Sequence, residues 1–311
     1  MKKLLLMLSF MTTTVFATEY RMVLPYGAGS QSDSVHRIIA EKFLEITGDK
    51  IVMENKASSN GAIAINYFKN NKNIDLLALG SGILVADPAL REIVYNDTDF
   101  ENLFYIGTAP FIWYTSPNSN IKSIDDLVKN TPKFTGSNID TGKINTIIFA
   151  KDLNKEITHV PYKDWNSVFV GVVGGEIPIG VVNATKLLVE MHKTGKVVII
   201  GSSYKDDFVI DDVRIVSIPK HTNIQQFNGF ISVAIRTDMD TERKQKLKEG
   251  LWKAIHNPEV REKLKSYFVM PDESDDMKTF NKFIQTSRAR SEEHTSELQS
   301  LAYLVCRLLL E

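Results

Sequence analysis

Residues 22–37 read MVLPYGAGSQSDSVHR, and this stretch decides the fold. Met22, Val23 and Leu24 form a short apolar run with the character of a buried strand, and it stops at Pro25. Gly27 and Gly29 follow in a loop, where the backbone is free to take φ > 0 or to approach a ligand closely. Val35, Ile38, Ile39 and Phe43 then recur at helical spacing, with Ser32 or Asp33 as the expected N-cap. A strand, a glycine loop and a helix start, in that order, turn free N–H groups and the positive end of the helix dipole toward one point. The stretch therefore predicts a cradle for a small anion.

Around it, short apolar runs alternate with helical patterns, the signature of α/β units. Strands are expected at 50–54, 75–79, 104–107 and 111–115, with helices at 62–69 and 124–129. A second series starts at Phe134 and Thr135 and runs into a second loop at Gly136, Ser137 and Asn138, followed by a helix over 143–153. Further strands are expected at 157–160, 177–182, 197–201 and 230–235. Helices are expected at 166–173, 184–192, 241–256 and 259–268, with Asn257-Pro258 breaking the last two. The two glycine/serine loops follow strands in separate halves. This predicts two lobes with a ligand cleft at the carboxyl ends of their strands.

Both ends read differently from the body. Lys2 and Lys3 precede an apolar stretch reaching Phe16, and Val15-Phe16-Ala17 suits a signal peptidase, so residues 1–17 are expected to be a cleaved secretory signal. The mature protein is then expected to be free in an exported compartment. Residues 290–300, RSEEHTSELQS, resemble the translation of a sequencing adapter, and 301–311 resemble its usual continuation. The whole of 290–311 is expected to be foreign to the fold. The single cysteine, Cys306, lies in it, so the body offers no thiol for a disulfide, a zinc site or a nucleophile.

The formal net charge of −1 argues against a nucleic-acid partner, which calls for a basic surface. GAGSQS at 27–32 approaches the dinucleotide fingerprint, with Glu54 as its ribose-binding acid, and makes an NAD-dependent oxidoreductase the alternative reading. Against it, Ser32 occupies the position of the third small residue, and Pro25 and Tyr26 crowd the turn. There is no G-x-S-x-G elbow, and His36, His159, His192, His221 and His256 show no metal-ligand spacing. A binding protein without catalytic residues, metal or cofactor is the reading these patterns favour.

Several motifs in order carry a family resemblance. LPYGAGSQSDSVHR, VMENKASSNGAIA, LALGSGILVADPAL, THVPYKD and VVGGEI together resemble the substrate-binding proteins of tripartite tricarboxylate transporters. The resemblance implies a type II, Venus-flytrap periplasmic binding protein of α/β class with a mainly parallel sheet in each lobe. Lobe 1 is expected to comprise 18–116 and 228–289, and lobe 2 117–227. It implies a monomer that captures a small organic carboxylate through backbone amides and hydroxyls and delivers it to membrane-embedded transporter subunits. By position it implicates Tyr26, Gly29, Ser30, Ser32 and Asp33 in the first loop. Ser81 and Gly82 follow after the third strand, then Gly136, Ser137 and Thr141 in the second lobe, and Asn183 after a later strand. The sequence departs from the family pattern at Ala28 and Ser30 and in the run GSNIDTGK at 136–143, which bears on the shape of the pocket.

Overall fold

The computed structural model describes residues 17–286 and 289, apart from 59, 60, 91, 97, 139, 225 and 272–276, and apart from the side chains of Ala89, Leu90 and Asp140. The expected signal segment through residue 16 and the expected foreign tail at 290–311 lie outside the described residues.

The chain opens with β1 (Glu19–Leu24), α1 (Gln31–Thr47), β2 (Lys50–Asn55), α2 (Ala62–Asn70) and β3 (Leu76–Gly80). A π-helical turn over Gly82–Ala86 leads into α3 (Asp87–Leu90), and β4 (Glu101–Ala109) follows. Next come β5 (Phe111–Thr115), α4 (Ile124–Lys129), β6 (Phe134–Ser137), α5 (Asp140–Asp152) and β7 (Thr158–Pro161). Then α6 (Trp165–Val173), β8 (Ile179–Asn183), α7 (Lys186–Lys193) and β9 (Val198–Ser202) alternate. The hairpin of β10 (Phe208–Ile210) and β11 (Val213–Ile215) precedes α8 (Ile218–Thr222). The described elements end with β12 (Gly229–Ile235), α9 (Thr241–Ile255), α10 (Pro258–Ser266) and β13 (Met270–Pro271), and residues 277–286 are helical.

Two main sheets result, one per lobe. The first runs β13-β4-β12-β3-β1-β2 and the second β7-β6-β8-β5-β9. Pairing is parallel where βα units repeat, in β2-β1-β3 and in β7-β6-β8. It is antiparallel where β4, β5 and β12 pass between or return to the lobes. The sheets are therefore mixed, with the parallel part of each forming the side from which the glycine/serine loops emerge.

The lobe boundary falls earlier than the expected 116/117. β5 already belongs to the second sheet, pairing Phe111 with Asn183 and Ile112 with Ser202, so the chain crosses at Pro110. β4 and β5 are consecutive apolar runs, and nothing in their order says which sheet each will join. The return crossing lies between α8 and β12, where buried Asn145 of α5 clamps it. The Asn145 amide donates to the Phe227 carbonyl at 2.9 Å and its oxygen accepts the Phe227 N–H at 2.9 Å, an imitation of a backbone pair.

The core explains why α1 sits where the sequence predicted it. Val35, Ile39 and Phe43 form its buried stripe, Tyr20 meets Phe43 edge-on at 5.8 Å, and a Cβ at Gly250 would stand 2.5 Å from the Phe43 ring, so α9 packs directly against it. In the second lobe Trp113 is fully buried against Phe149 at 4.8 Å. One apolar cluster contains Val23, Leu79 and Ile83 from the first lobe and Trp113, Ile144 and Phe149 from the second, so the core is continuous beneath the cleft.

Candidate functional site

The cleft between the lobes holds a cavity of about 710 Å³. Among the described residues, six loop regions build its wall. From lobe 1 come the turn between β1 and α1, the turn between β2 and α2 with Ser58 and Gly61, and the turn after β3. From lobe 2 come the turn between β6 and α5, the turn between β7 and α6 with Tyr162 and Lys163, and the turn between β8 and α7.

The first turn is held by Asp33 and capped by Ser30. Gly29 has φ +77°, the left-handed region in which a Cβ is strained, and this lets Ser30 come out extended and start the helix early. The Ser30 hydroxyl accepts the Asp33 N–H at 3.2 Å. The cap is therefore Ser30, in place of the expected Ser32 or Asp33. Asp33 reaches back instead, as in a capping box displaced by one residue: its Oδ2 accepts the Gly29 N–H at 2.8 Å. Arg37 donates to Asp33 from Nε at 3.0 Å and from Nη2 at 2.9 Å, and Asn55 donates to Asp33 at 2.9 Å and to the Tyr26 carbonyl at 3.1 Å. Burial alone would raise the Asp33 pKa; the bonds from Arg37, Asn55 and Gly29 outweigh it and hold the carboxyl at about 2. The first-turn N–H groups of Gln31 and Ser32 have no acceptor among the described residues, and both residues line the cavity. They are the donors the helix start makes available there.

Behind this turn, His36 is buried with its Nδ1 2.7 Å from the Ser32 carbonyl. Burial lowers its pKa, so the neutral ring donates to that carbonyl and fixes the back of the turn.

On the facing lobe, Ser137 ends β6, Asn138 follows it, and Thr141 lies in the first turn of α5. Tyr162 backs them. A Cβ at Gly136 would lie 2.8 Å from its ring and 2.3 Å from Ile177, and a Cβ at Gly171 would lie 2.5 Å from its hydroxyl. Both glycines therefore make room for the ring that forms part of the wall. Asn183 and Thr185 close the second-lobe side, Thr185 capping α7 by accepting the Leu188 N–H at 3.2 Å.

Of the residues implicated by sequence, Tyr26, Ser30, Ser32, Ser81, Gly82, Ser137, Thr141 and Asn183 line the cavity. Gly29, Asp33 and Gly136 do not: Gly29 shapes the turn, Asp33 braces it with every bond spent inside the protein, and Gly136 admits Tyr162. Glu54, the ribose-binding acid of the oxidoreductase alternative, lies off the cavity and faces Arg21 and Lys56, each at 3.8 Å. Sequence reasoning missed Gln31, Asp87, Asn138, His159 and Lys163 as wall residues. Lys163 stands in the quoted motif THVPYKD and is the one lysine or arginine among the described lining residues. Asp87 stands in the quoted motif LALGSGILVADPAL, but the π-helical turn that brings it to the wall has no sequence signature. Among the described residues no group of His, Cys, Asp and Glu has the arrangement of a metal site, and no helix is long and apolar enough to cross a membrane.

Comparisons with known proteins bear on this geometry. A family model described as "Tripartite tricarboxylate transporter family receptor" matches residues 35–299. The Agrobacterium vitis UPF0065 protein in the TAR-I ttuE-ttuC' intergenic region is 24% identical over 297 residues, 91% of this chain and 82% of its own. Four further curated relatives match over 47% to 56% of their own length. Among solved structures, R. palustris Rpa4515 with adipate superposes with a TM-score of 0.75 at 20% identity, covering 90% of this chain and 96% of that one. MatC from Rhodopseudomonas palustris with bound malate gives 0.72 at 15% identity, covering 90% and 100%. At such identities the two structures speak for the fold alone.

Proposed function

The chain belongs to the tripartite tricarboxylate transporter receptor family, and from that premise we propose that it captures a small organic carboxylate in its cleft and presents it to membrane-embedded transporter subunits. The observation that carries this reading is the composition of the wall. Unpaired amides of the α1 first turn and the hydroxyls of Ser30 and Ser32 face Ser137, Asn138 and Thr141 across one cavity, with Lys163 as the lining cation. Such a wall suits an acid group held by hydrogen bonds from both lobes. An acid that touches both lobes binds the closed arrangement more tightly than an open one, and that differential affinity drives closure. The closed form is then the species a membrane partner distinguishes. As a family receptor it works in the periplasm, delivered there by residues 1–17, as a monomer and without turnover of its ligand. Adipate and malate, bound by the two structural neighbours, define the size of acid to try first.

A thermal-shift screen over mono-, di- and tricarboxylates tests the reading. At about 100 times its dissociation constant a ligand stabilises by about 2.7 kcal/mol, a rise of several degrees for a protein of this size. A rise with at least one acid, and none with NAD, is expected. A rise with NAD alone would favour the oxidoreductase alternative, and no rise with any acid would end the proposal.

A further inference from the structure

The corner that ends α10 joins the two lobes through side chains. The helix closes in a Schellman turn: the Phe268 N–H donates to the Lys265 carbonyl at 2.8 Å and the Val269 N–H to the Leu264 carbonyl at 3.0 Å. Glycine is the usual residue at the left-handed position of such a turn, yet Phe268 stands there at φ +59°. A bulky residue in that region costs free energy that a glycine would not, and it persists only where its surroundings hold it. What holds it is the other lobe. The ring is 1% exposed, and the other buried members of its apolar cluster all lie within residues 112–215, among them Ile112, Val182, Ala184 and Leu188. The next residue, Val269, packs with Leu264 in a lobe 1 cluster. Plug and socket flank the first crossing of the chain, since Met270 pairs with Thr108 of β4 and the Ala184 N–H donates to the Pro110 carbonyl at 3.2 Å. The flanking contacts span the same gap. Lys186, the first residue of α7, holds its ammonium 5.9 Å from the centre of the Tyr267 ring. The Tyr267 carbonyl accepts the Gln31 side-chain amide at 2.7 Å, and Gln31 opens α1 and lines the cavity. The first turn of α1 is thereby tied to a corner whose next residue is anchored in the facing lobe.

We propose that Phe268 is a positioning residue for capture: a plug from lobe 1, seated in lobe 2, that holds the two walls of the cleft at the spacing an acid needs, although Phe268 is not among the residues lining the cavity. Its consequence for affinity rests on the reading of the cleft as an acid-binding site; its hold on the lobes does not. Phe268→Gly removes the ring, relieves the left-handed strain and keeps every backbone bond of the corner, so the lobes gain spacings that the ring excludes.

The test is double electron–electron resonance on the full chain carrying Cys306→Ser, with spin labels on Ala57→Cys before α2 and Asn166→Cys on α6, both exposed and neither lining the cavity. Without ligand, the parent is expected to give one narrow distance distribution, and Phe268→Gly a broader one with a population the parent lacks, its far-UV spectrum unchanged. Phe268→Leu, which keeps a shorter apolar plug, is expected to broaden it less. Val269→Ala, which empties space in lobe 1 alone, is expected to lower the melting temperature and leave the distances as they are. An unchanged distribution in Phe268→Gly, or in Phe268→Leu should the glycine variant not fold, overturns the inference, and so does equal broadening in Val269→Ala. Calorimetry with malate and adipate is the second arm: an acid that binds the parent is expected to bind Phe268→Gly at least about threefold more weakly, because only molecules with correctly spaced walls take it up. Unchanged affinity overturns the inference while leaving the acid-binding reading intact. Failure of both acids to bind the parent counts against that reading, and the distances then decide this inference alone.

Discussion

Replacing Asp33 by Asn tests the claim that this carboxylate braces the binding turn and does not itself meet the ligand. The side chain is 4% exposed and accepts four bonds, from Gly29, from Arg37 twice and from Asn55. Its pKa of about 2 against the ordinary 3.8 corresponds to about 2.4 kcal/mol at 1.36 kcal/mol per pH unit. Arg37 is half-exposed, and solvent screening of that partner trims the figure to about 1.5–2 kcal/mol. A depressed carboxyl pKa stabilises the folded state above its unfolded value, and that stability is lost as pH falls through the folded value. The wild type should therefore exceed Asp33→Asn by the full amount at pH 7 and by progressively less between pH 4 and pH 2. The assay is urea unfolding followed by tryptophan fluorescence at several pH values, together with a melting temperature at pH 7 lower by about 4–8 °C. Equal midpoints at pH 7, or a difference undiminished at pH 2, would refute the reasoning.

Three further outcomes follow from the same geometry. Gly29→Val places a β-branched residue at φ +77°, a strain of about 1–2 kcal/mol or more that turns the loop, so acid binding should vanish while the far-UV spectrum is kept; unchanged affinity would remove this turn from the site. Gly136→Ala puts a methyl 2.3 Å from Ile177 and 2.8 Å from Tyr162, which should weaken binding by displacing the Tyr162 ring and cost about 1–3 kcal/mol by overpacking, both read from calorimetry and a denaturation curve; a fully stable variant of normal affinity would contradict the packing. Asn145→Ala leaves the N–H and carbonyl of Phe227 unpaired in the core, and a loss of about 2–4 kcal/mol is expected in denaturant unfolding, whereas a loss under about 0.5 kcal/mol would show that the return crossing is not clamped there.

The alternation of apolar strands and amphipathic helices was legible because both are local patterns: β1, α1, β2 and β3 fall where their residues predict. The strand-loop-helix arrangement around Gly29 could be read for the same reason. The lobe boundary could not, because β5 looks like an extension of β4 and only its pairing with β8 and β9 assigns it to the second sheet. The short hairpin Phe208–Ile210 with Val213–Ile215 was invisible because strands of three residues carry no period. At the site, hydroxyl and glycine residues in loops were legible as donors. The division between lining and bracing residues was not, since Asp33 and Ser30 exchange the capping role through the φ of Gly29. Asp87 escaped because an i→i+5 turn, not a loop motif, brings it to the wall.

In the proposed binding mode one acid group is gripped by turns from both lobes. A crystal structure with a bound carboxylate tests it most directly. Carboxylate oxygens are expected within hydrogen-bond distance of the Gln31 or Ser32 amide on one side and of Ser137, Asn138 or Thr141 on the other. An acid bound to a single lobe, or outside the cavity between them, would contradict it.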